Sequence, residues 1–209
     1  MTHHHPSEDH LVQYGAGIMP QGMSMLVAAH LNYCSECRAT VREAEAVGGA
    51  LIDHEALLPE RLMHAEPAFD RELAVEPAPL PAIDVPSPLR PYIGTRLADV
   101  RWRTFWPGMQ TVRIPCADDP SEVSLLRLKP GTGMPVHTHG GDELTLVLQG
   151  SYTDETGRFS VGDVAFGDRN LTHRPVADAG AHCVCFTVVS APLKFASPLA
   201  RLASRFLLR

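Results

Sequence analysis

The sequence predicts a chain of two unlike parts, helical in front and all-β behind, with a metal site in each. Three observations lead there. Apolar residues spaced near 3.6 give way partway along to alternation with period two, prolines gather between residues 67 and 91, and histidine- or cysteine-rich sets occur on both sides of that run. The boundaries read as residues 1–80 for a small helical bundle, 81–95 for a proline-rich linker and 96–209 for a β-barrel with a C-terminal helix.

The elements follow in order. Ser7 is placed to cap a first helix through Glu8, Asp9, Leu11, Val12 and Tyr14, which Gly15 and Gly17 end. Pro20 opens a second, with Met23, Leu26, Val27 and His30 near helical spacing and Asn32 as its stop. Ser35 caps a third through Ala39, Val41, Ala44 and Val47, with Gly48 and Gly49 weakening its middle, and a short fourth is expected around 62–73. Beyond the linker, residues 123–128, 143–148, 151–153, 164–166 and 182–189 are short, β-branched or alternating, and bounded by Gly, Pro and Asp. Such spacing predicts a barrel or sandwich. Residues 198–209 read as an amphipathic helix packed on it.

Bulk properties narrow the class. With 209 residues and 44% hydrophobic content the chain can bury a real core. No window approaches 18 consecutive apolar residues, and the histidine-rich start lacks the basic flank and apolar stretch of a signal peptide, so a cytoplasmic protein without membrane association is expected. Five cysteines, two of them in Cys34-x-x-Cys37, fit thiols and metal binding better than a disulfide framework. Net charge is −6, unevenly spread: residues 1–80 hold twelve Asp or Glu against four Arg. Phosphate neutralisation needs clustered Lys and Arg, so the front part is not expected to bind nucleic acid, and a basic protein partner suits it better.

The first chemical constellation is His30-x-x-x-Cys34-x-x-Cys37. Thiolate and imidazole suit a tetrahedral zinc ion, and the spacing brings the three groups together where one helix ends and the next begins. A structural zinc site closes with a fourth ligand, for which His3, His4, His5 and His10 are candidates. Closure would staple the first helix to the others, so that metal-binding free energy becomes folding free energy in a domain with a thin core.

This arrangement within a small helical domain resembles the zinc-binding anti-sigma domain, and the order of acidic helical front, proline linker and β-barrel resembles the ChrR family of anti-sigma factors over nearly the full length. The resemblance implies that His5, just ahead of the first helix, closes the zinc site, and that the partner is an extracytoplasmic-function (ECF) sigma factor held in a 1:1 heterodimer. Leu11, Tyr14, Met19, Met23 and Leu26 then stand as partner-binding candidates, because the helices carry more apolar and methionine-rich surface than so small a core absorbs. Glu8, Asp9, Glu36, Glu43 and Glu45 would meet basic groups and steer association.

The second constellation, Gly131-x5-His137-x-His139-x3-Glu143-x6-Gly150, matches the first cupin motif at every position, and Gly162-Asp163 followed by His173 marks the second. The barrel therefore resembles a cupin, a double-stranded β-helix. His137 and His139 alternate on a strand and face one way, Glu143 keeps that parity, and His173 completes a three-histidine, one-carboxylate metal set. Zinc, manganese, iron or nickel would suit it, and the ChrR resemblance implies zinc. Asp168 and Asn170 stand where the second motif usually has proline and glycine. Cys183 and Cys185 share one strand face, near the metal or as apolar filler.

Two function classes compete. A regulator would hold a sigma factor with its zinc-stabilised front and receive an oxidant at the cupin metal; the ChrR resemblance implies singlet oxygen or an organic hydroperoxide. A cupin dioxygenase or isomerase would use that metal at an open coordination position. A freestanding enzyme has no use for an acidic helical metal module, so the regulator is the expected class, with no catalytic residue assigned.

Overall fold

A computed structural model describes residues 2–54, 84–116 and 119–197. The fourth helix expected at 62–73 and the helix at 198–209 lie outside the described residues. The front forms α1 (Glu8–Gly15), α2 (Gln21–His30) and α3 (Ser35–His54). Ser7 caps α1 as its sequence position demands, its hydroxyl accepting from the His10 N–H at 3.3 Å. Ser35 does not cap α3. It is the first helical residue, and the group taking a free N–H at that end is Cys34 Sγ, 3.4 Å from the Cys37 nitrogen. Gly48 and Gly49 do not interrupt α3, which runs for 20 residues.

The described end of the proline-rich segment is not a simple spacer. Ser87–Leu89 form a 3-10 turn, Arg90–Ile93 a single helical turn (α4), and Val85 and Leu89 are buried in the same apolar cluster as Leu26 and Val27 of α2. Proline supplies the fixed φ that starts each turn, and the alternating leucine and valine supply the anchor.

Twelve strands follow: β1 (Arg103–Trp106), β2 (Met109–Arg113), β3 (Glu122–Leu128), β4 (His137–Thr138), β5 (Glu143–Gln149), β6 (Ser151–Asp154), β7 (Gly157–Ser160), β8 (Val164–Gly167), β9 (Thr172–His173), β10 (Val176–Ala177), β11 (Cys183–Val189) and β12 (Lys194–Phe195). They pair antiparallel in a six-stranded sheet ordered β1-β2-β3-β11-β5-β8 and two three-stranded sheets, β10-β6-β7 and β12-β4-β9. All five strand segments expected from the sequence are present, within a residue or so at each end. Gly150 makes the β5–β6 turn at φ 69, where a side chain would also meet the His182 carbonyl at 2.5 Å.

The large sheet is buried on both faces. Leu128, Val147, Cys183 and Cys185 point into the barrel with Tyr152 and Phe159. Val123, Leu125, Leu144, Leu146, Val184, Phe186 and Val188, of the opposite parity, point outward into a cluster shared with Met23, Met25, Leu26 and Val27 of α2. The helices thus form a layer over the outer face of the barrel. Gly22 permits this approach, since a Cβ there would stand 2.5 Å from Val123 Cγ2 and 3.1 Å from Val188 Cγ1.

Candidate metal centres

In the front part, four donors meet where α2 ends and α3 begins. His30, Cys34 and Cys37 are buried, and His5 arrives on the extended stretch ahead of α1. The ligand atoms of all four lie within 4.8 Å of one another. His30 Nε2 is 3.2 Å from Cys37 Sγ, and His5 Nδ1 is 3.4 Å from both sulfurs. A tetrahedral zinc site with the usual bond lengths has S···N edges of about 3.5 Å, so the cluster fits such an ion with little movement. His30 Nδ1 lies 2.8 Å from the Gly162 carbonyl, which only accepts, so that nitrogen carries the proton and Nε2 presents its lone pair inward. His10 is elsewhere, on α1 beside Ser7 and Phe166.

The thiols differ. Burial pushes the Cys37 thiol up to about 12, reinforced by Cys34 and Glu36. Burial also works against the Cys34 thiolate, but the N–H groups at the start of α3 and the Cys37 and Thr2 side chains outweigh it and hold Cys34 below its ordinary value. A cation among the four donors favours both thiolates together.

The second centre lies inside the barrel. β4 pairs with β9 so that His137 stands directly opposite His173, and His139 follows one residue beyond β4. All three are buried, with ring nitrogens within 4.8 Å of one another. Each outer nitrogen donates: His137 Nδ1 to the Pro135 carbonyl at 2.9 Å, His139 Nδ1 to the Asp168 carbonyl at 3.0 Å, and His173 Nδ1 to Asp154 Oδ2 at 2.8 Å. The three Nε2 atoms therefore carry lone pairs aimed at one point. His137 Nε2 and His173 Nε2 are 3.0 Å apart, close enough for one cation to be shared between them.

Glu143 reaches this point through His139. Its Oε2 is 3.1 Å from His139 Nε2, yet neither buried atom makes a well-aligned hydrogen bond, as expected of two ligands of one ion. Its carboxylate is not within the mutual 4.8 Å that defines the histidine trio. Burial would raise the Glu143 pKa, but the facing His139 and His137 and the Thr145 hydroxyl at 2.9 Å hold it below the usual range. Burial opposes charge on His139 as well, and Glu143 overrides it in the other direction.

Asp168 and Asn170 replace proline and glycine without loss of geometry. Asp168 Oδ1 accepts from the Asn170 and Leu171 N–H groups at 2.8 and 3.2 Å, an Asx turn that leaves the Asp168 carbonyl on His139. Sequence reasoning missed Asp154, because an Asp-Glu-Thr-Gly turn looks the same whether or not its carboxylate turns inward to a histidine. Cys185 lines the cavity beside the histidines, and Cys183 Sγ lies 3.6 Å from Cys185 Sγ within the apolar interior. The cavity is small, about 40 Å³, and also lined by Leu126, Leu128, Met134 and Ala165.

Of the partner-binding candidates, Leu11, Met19, Met23 and Leu26 are buried and Tyr14 packs half-buried against the same cluster. The last three buried residues lie toward the barrel layer, a neighbour that helical periodicity does not reveal. Among the described residues, the large apolar side chains left open on the helical part are Val12, Ile18, Val47 and Leu51, the last two 63% and 66% exposed on an α3 that buries little beyond Cys37 and Val41.

Fold and sites define a protein with two candidate metal centres, one in a helical His/Cys module and one in the cupin barrel on which it lies. Residues 92–192 match the family model for the ChrR cupin-like domain. The chain is 41% identical over 208 residues, 97% of each chain, to a protein of Cereibacter sphaeroides named anti-sigma-E factor ChrR. It also resembles the solved structure of Rhodobacter sphaeroides SigE in complex with the anti-sigma ChrR, with TM-score 0.75, 39% identity, and coverage of 90% of this chain and 100% of that one. The chain belongs to the ChrR family of anti-sigma factors.

Proposed function

We propose that this protein is a cytoplasmic anti-sigma factor that holds an ECF sigma factor in a 1:1 complex and releases it when an oxidant, singlet oxygen or an organic hydroperoxide, reaches the cupin site. The observation that carries the reading is the four-donor cluster of His5, His30, Cys34 and Cys37 at the root of three helices, in a chain 41% identical over its length to a curated anti-sigma factor. Zinc bound by these four would be structural, tying the stretch before α1 to the α2–α3 junction. A divalent ion, zinc by family, would be held by His137, His139, Glu143 and His173 and supply a Lewis-acidic centre open to a small molecule.

The sigma-binding face is assigned to Val12, Ile18, Val47 and Leu51 with the exposed acids Glu8, Asp9, Glu43 and Glu45 around them. Apolar residues then supply the buried contact and the carboxylates steer a basic partner. The cavity beside the ligands is small, about 40 Å³, which suits a small oxidant.

Mutation tests whether the two modules have separate jobs. Cys34→Ser is expected to abolish sigma binding in a pull-down, while His137→Ala is expected to keep binding and blunt the transcriptional response to singlet oxygen. Equal loss of sigma binding in both variants sinks the division of labour.

A further inference from the structure

The turn between β7 and β8 lies far from the barrel cavity's histidines in sequence role, yet it touches the helical module at its most sensitive point. The Gly162 carbonyl takes the His30 Nδ1 proton at 2.8 Å. Asp163, 1% exposed, accepts from the backbone N–H groups of His3 at 2.6 Å and His4 at 3.1 Å through Oδ1, and from the Ser160 N–H and hydroxyl at 2.8 and 2.9 Å through Oδ2. The His4 carbonyl in turn accepts from the Val164 N–H at 3.0 Å, so the stretch leading to His5 is pinned to the barrel by three backbone groups. The seat is close. A Cβ on Gly162, at φ 91, would meet Thr2 Cγ2 at 2.7 Å and Tyr33 Cβ at 2.9 Å.

From this geometry we infer that Gly162 and Asp163 of the barrel are positioning residues for the helical module's cation site, so that the barrel sets how tightly His5, His30, Cys34 and Cys37 hold their metal. The inference rests on the proposed assignment of those four as ligands. Gly162 fixes the His30 tautomer and ring angle, as outer partners of metal-bound histidines do, and Asp163 fixes the approach of His5. An amide at position 163 cannot reproduce this, because it has one acceptor oxygen for two groups of N–H donors and adds donors of its own. The β6–β7 hairpin that leads into the turn also carries Asp154, whose Oδ2 holds His173 and whose Oδ1 accepts from the Gly157 N–H at 3.2 Å. The hairpin and the turn that follows it thereby touch both candidate centres.

The test uses the full-length, zinc-loaded chain in a Cys116→Ser background, which removes the half-exposed thiol. Zinc transfer to a chelator and the reaction of Cys34 and Cys37 with a thiol reagent are followed together. Asp163→Asn removes the carboxylate from the barrel side, and His3→Pro deletes one of its N–H partners without touching the barrel. Both are expected to weaken zinc retention at the helical site about 10- to 100-fold and to speed thiol labelling in step, with one zinc equivalent still retained by the cupin. Asp119→Asn, which breaks the other polar tie between the layers at Gly22 N–H but lies away from the metal, is expected to leave retention unchanged. Wild-type retention in both Asp163→Asn and His3→Pro, or equal loss in Asp119→Asn, overturns the inference. A wild-type chain that holds no zinc on its Cys34 and Cys37 thiols overturns the ligand assignment itself.

Discussion

Gly22→Ala is the sharpest probe of how the helices lie on the barrel. On an exposed helix this change helps by up to about 1 kcal/mol, because alanine loses less conformational freedom than glycine. Here the new Cβ would sit 2.5 Å from Val123 Cγ2, 3.1 Å from Val188 Cγ1 and 3.1 Å from Asp119 Oδ2. Ordinary carbon contacts need about 3.5–4.0 Å, so α2 must retreat by about 1 Å. Val123 and Val188 are buried at 3% and 0% exposure within the sheet and have nowhere to move. Retreat also stretches the 2.6 Å bond from the Gly22 N–H to Asp119 beyond hydrogen-bonding length. Overpacking at about 1–3 kcal/mol and a weakened charged hydrogen bond at about 1–2 kcal/mol exceed the helix gain, for a net loss near 2 kcal/mol. In a chain of this size that lowers Tm by about 4–8 °C. Melting is followed by circular dichroism at fixed metal content. A Tm equal to or above that of the unaltered protein refutes the layered packing.

Leu51→Glu and Val47→Glu, on the open face of α3, are expected to weaken sigma binding at least tenfold in a binding titration with Tm unchanged within about 2 °C, whereas Leu26→Glu, fully buried, prevents folding. Phe186→Ala, which empties the layer between sheet and helices, costs about 3–5 kcal/mol by denaturant titration. Asp178 accepts from Ser151, Thr153 and Arg158; its burial opposes ionisation, but these partners hold its pKa below the ordinary 3.8. A depressed carboxylate stabilises the fold above its unfolded pKa and loses that contribution as pH falls through the folded value. In metal-free protein the drop in Tm from about pH 4 downward is therefore expected to be shallower in Asp178→Asn, and parallel curves argue against the assignment.

Much of this was written plainly in the chain. The change of period marked the two parts, and the spacing of the cupin motif pointed to His137, His139, Glu143 and His173 as candidate ligands, the three histidines of which the fold brings together. His30, Cys34 and Cys37 were legible from their spacing at a helix junction, while His5 needed the family resemblance to separate it from its neighbours. The docking of the helices was not foreseen. Its signal was present in the β5 run Leu-Thr-Leu-Val-Leu and the β11 run Cys-Val-Cys-Phe-Thr-Val-Val, which lack a polar outer face and so describe strands covered on both sides. Read that way, the apolar surplus on α2 is matched by the sheet, and the sigma-binding face proposed above rests instead on exposed residues such as Val47 and Leu51. Short strands such as β4, β9 and β10 had no periodicity to read, being two residues each and held by register with their neighbours. The role of Asp154, and the ties of Asp163 to the stretch before α1, were invisible because their partners are about 20 and 160 residues away in the chain.

The central claim is tested most directly by co-expressing the chain with an ECF sigma factor from the same genome and measuring mass and metal content of what co-purifies. A 1:1 complex carrying two metal equivalents is the expected result, with His137→Ala giving the complex with one equivalent and Cys34→Ser giving a chain free of sigma that keeps only the cupin metal. A chain that purifies free of sigma with its metals in place contradicts it.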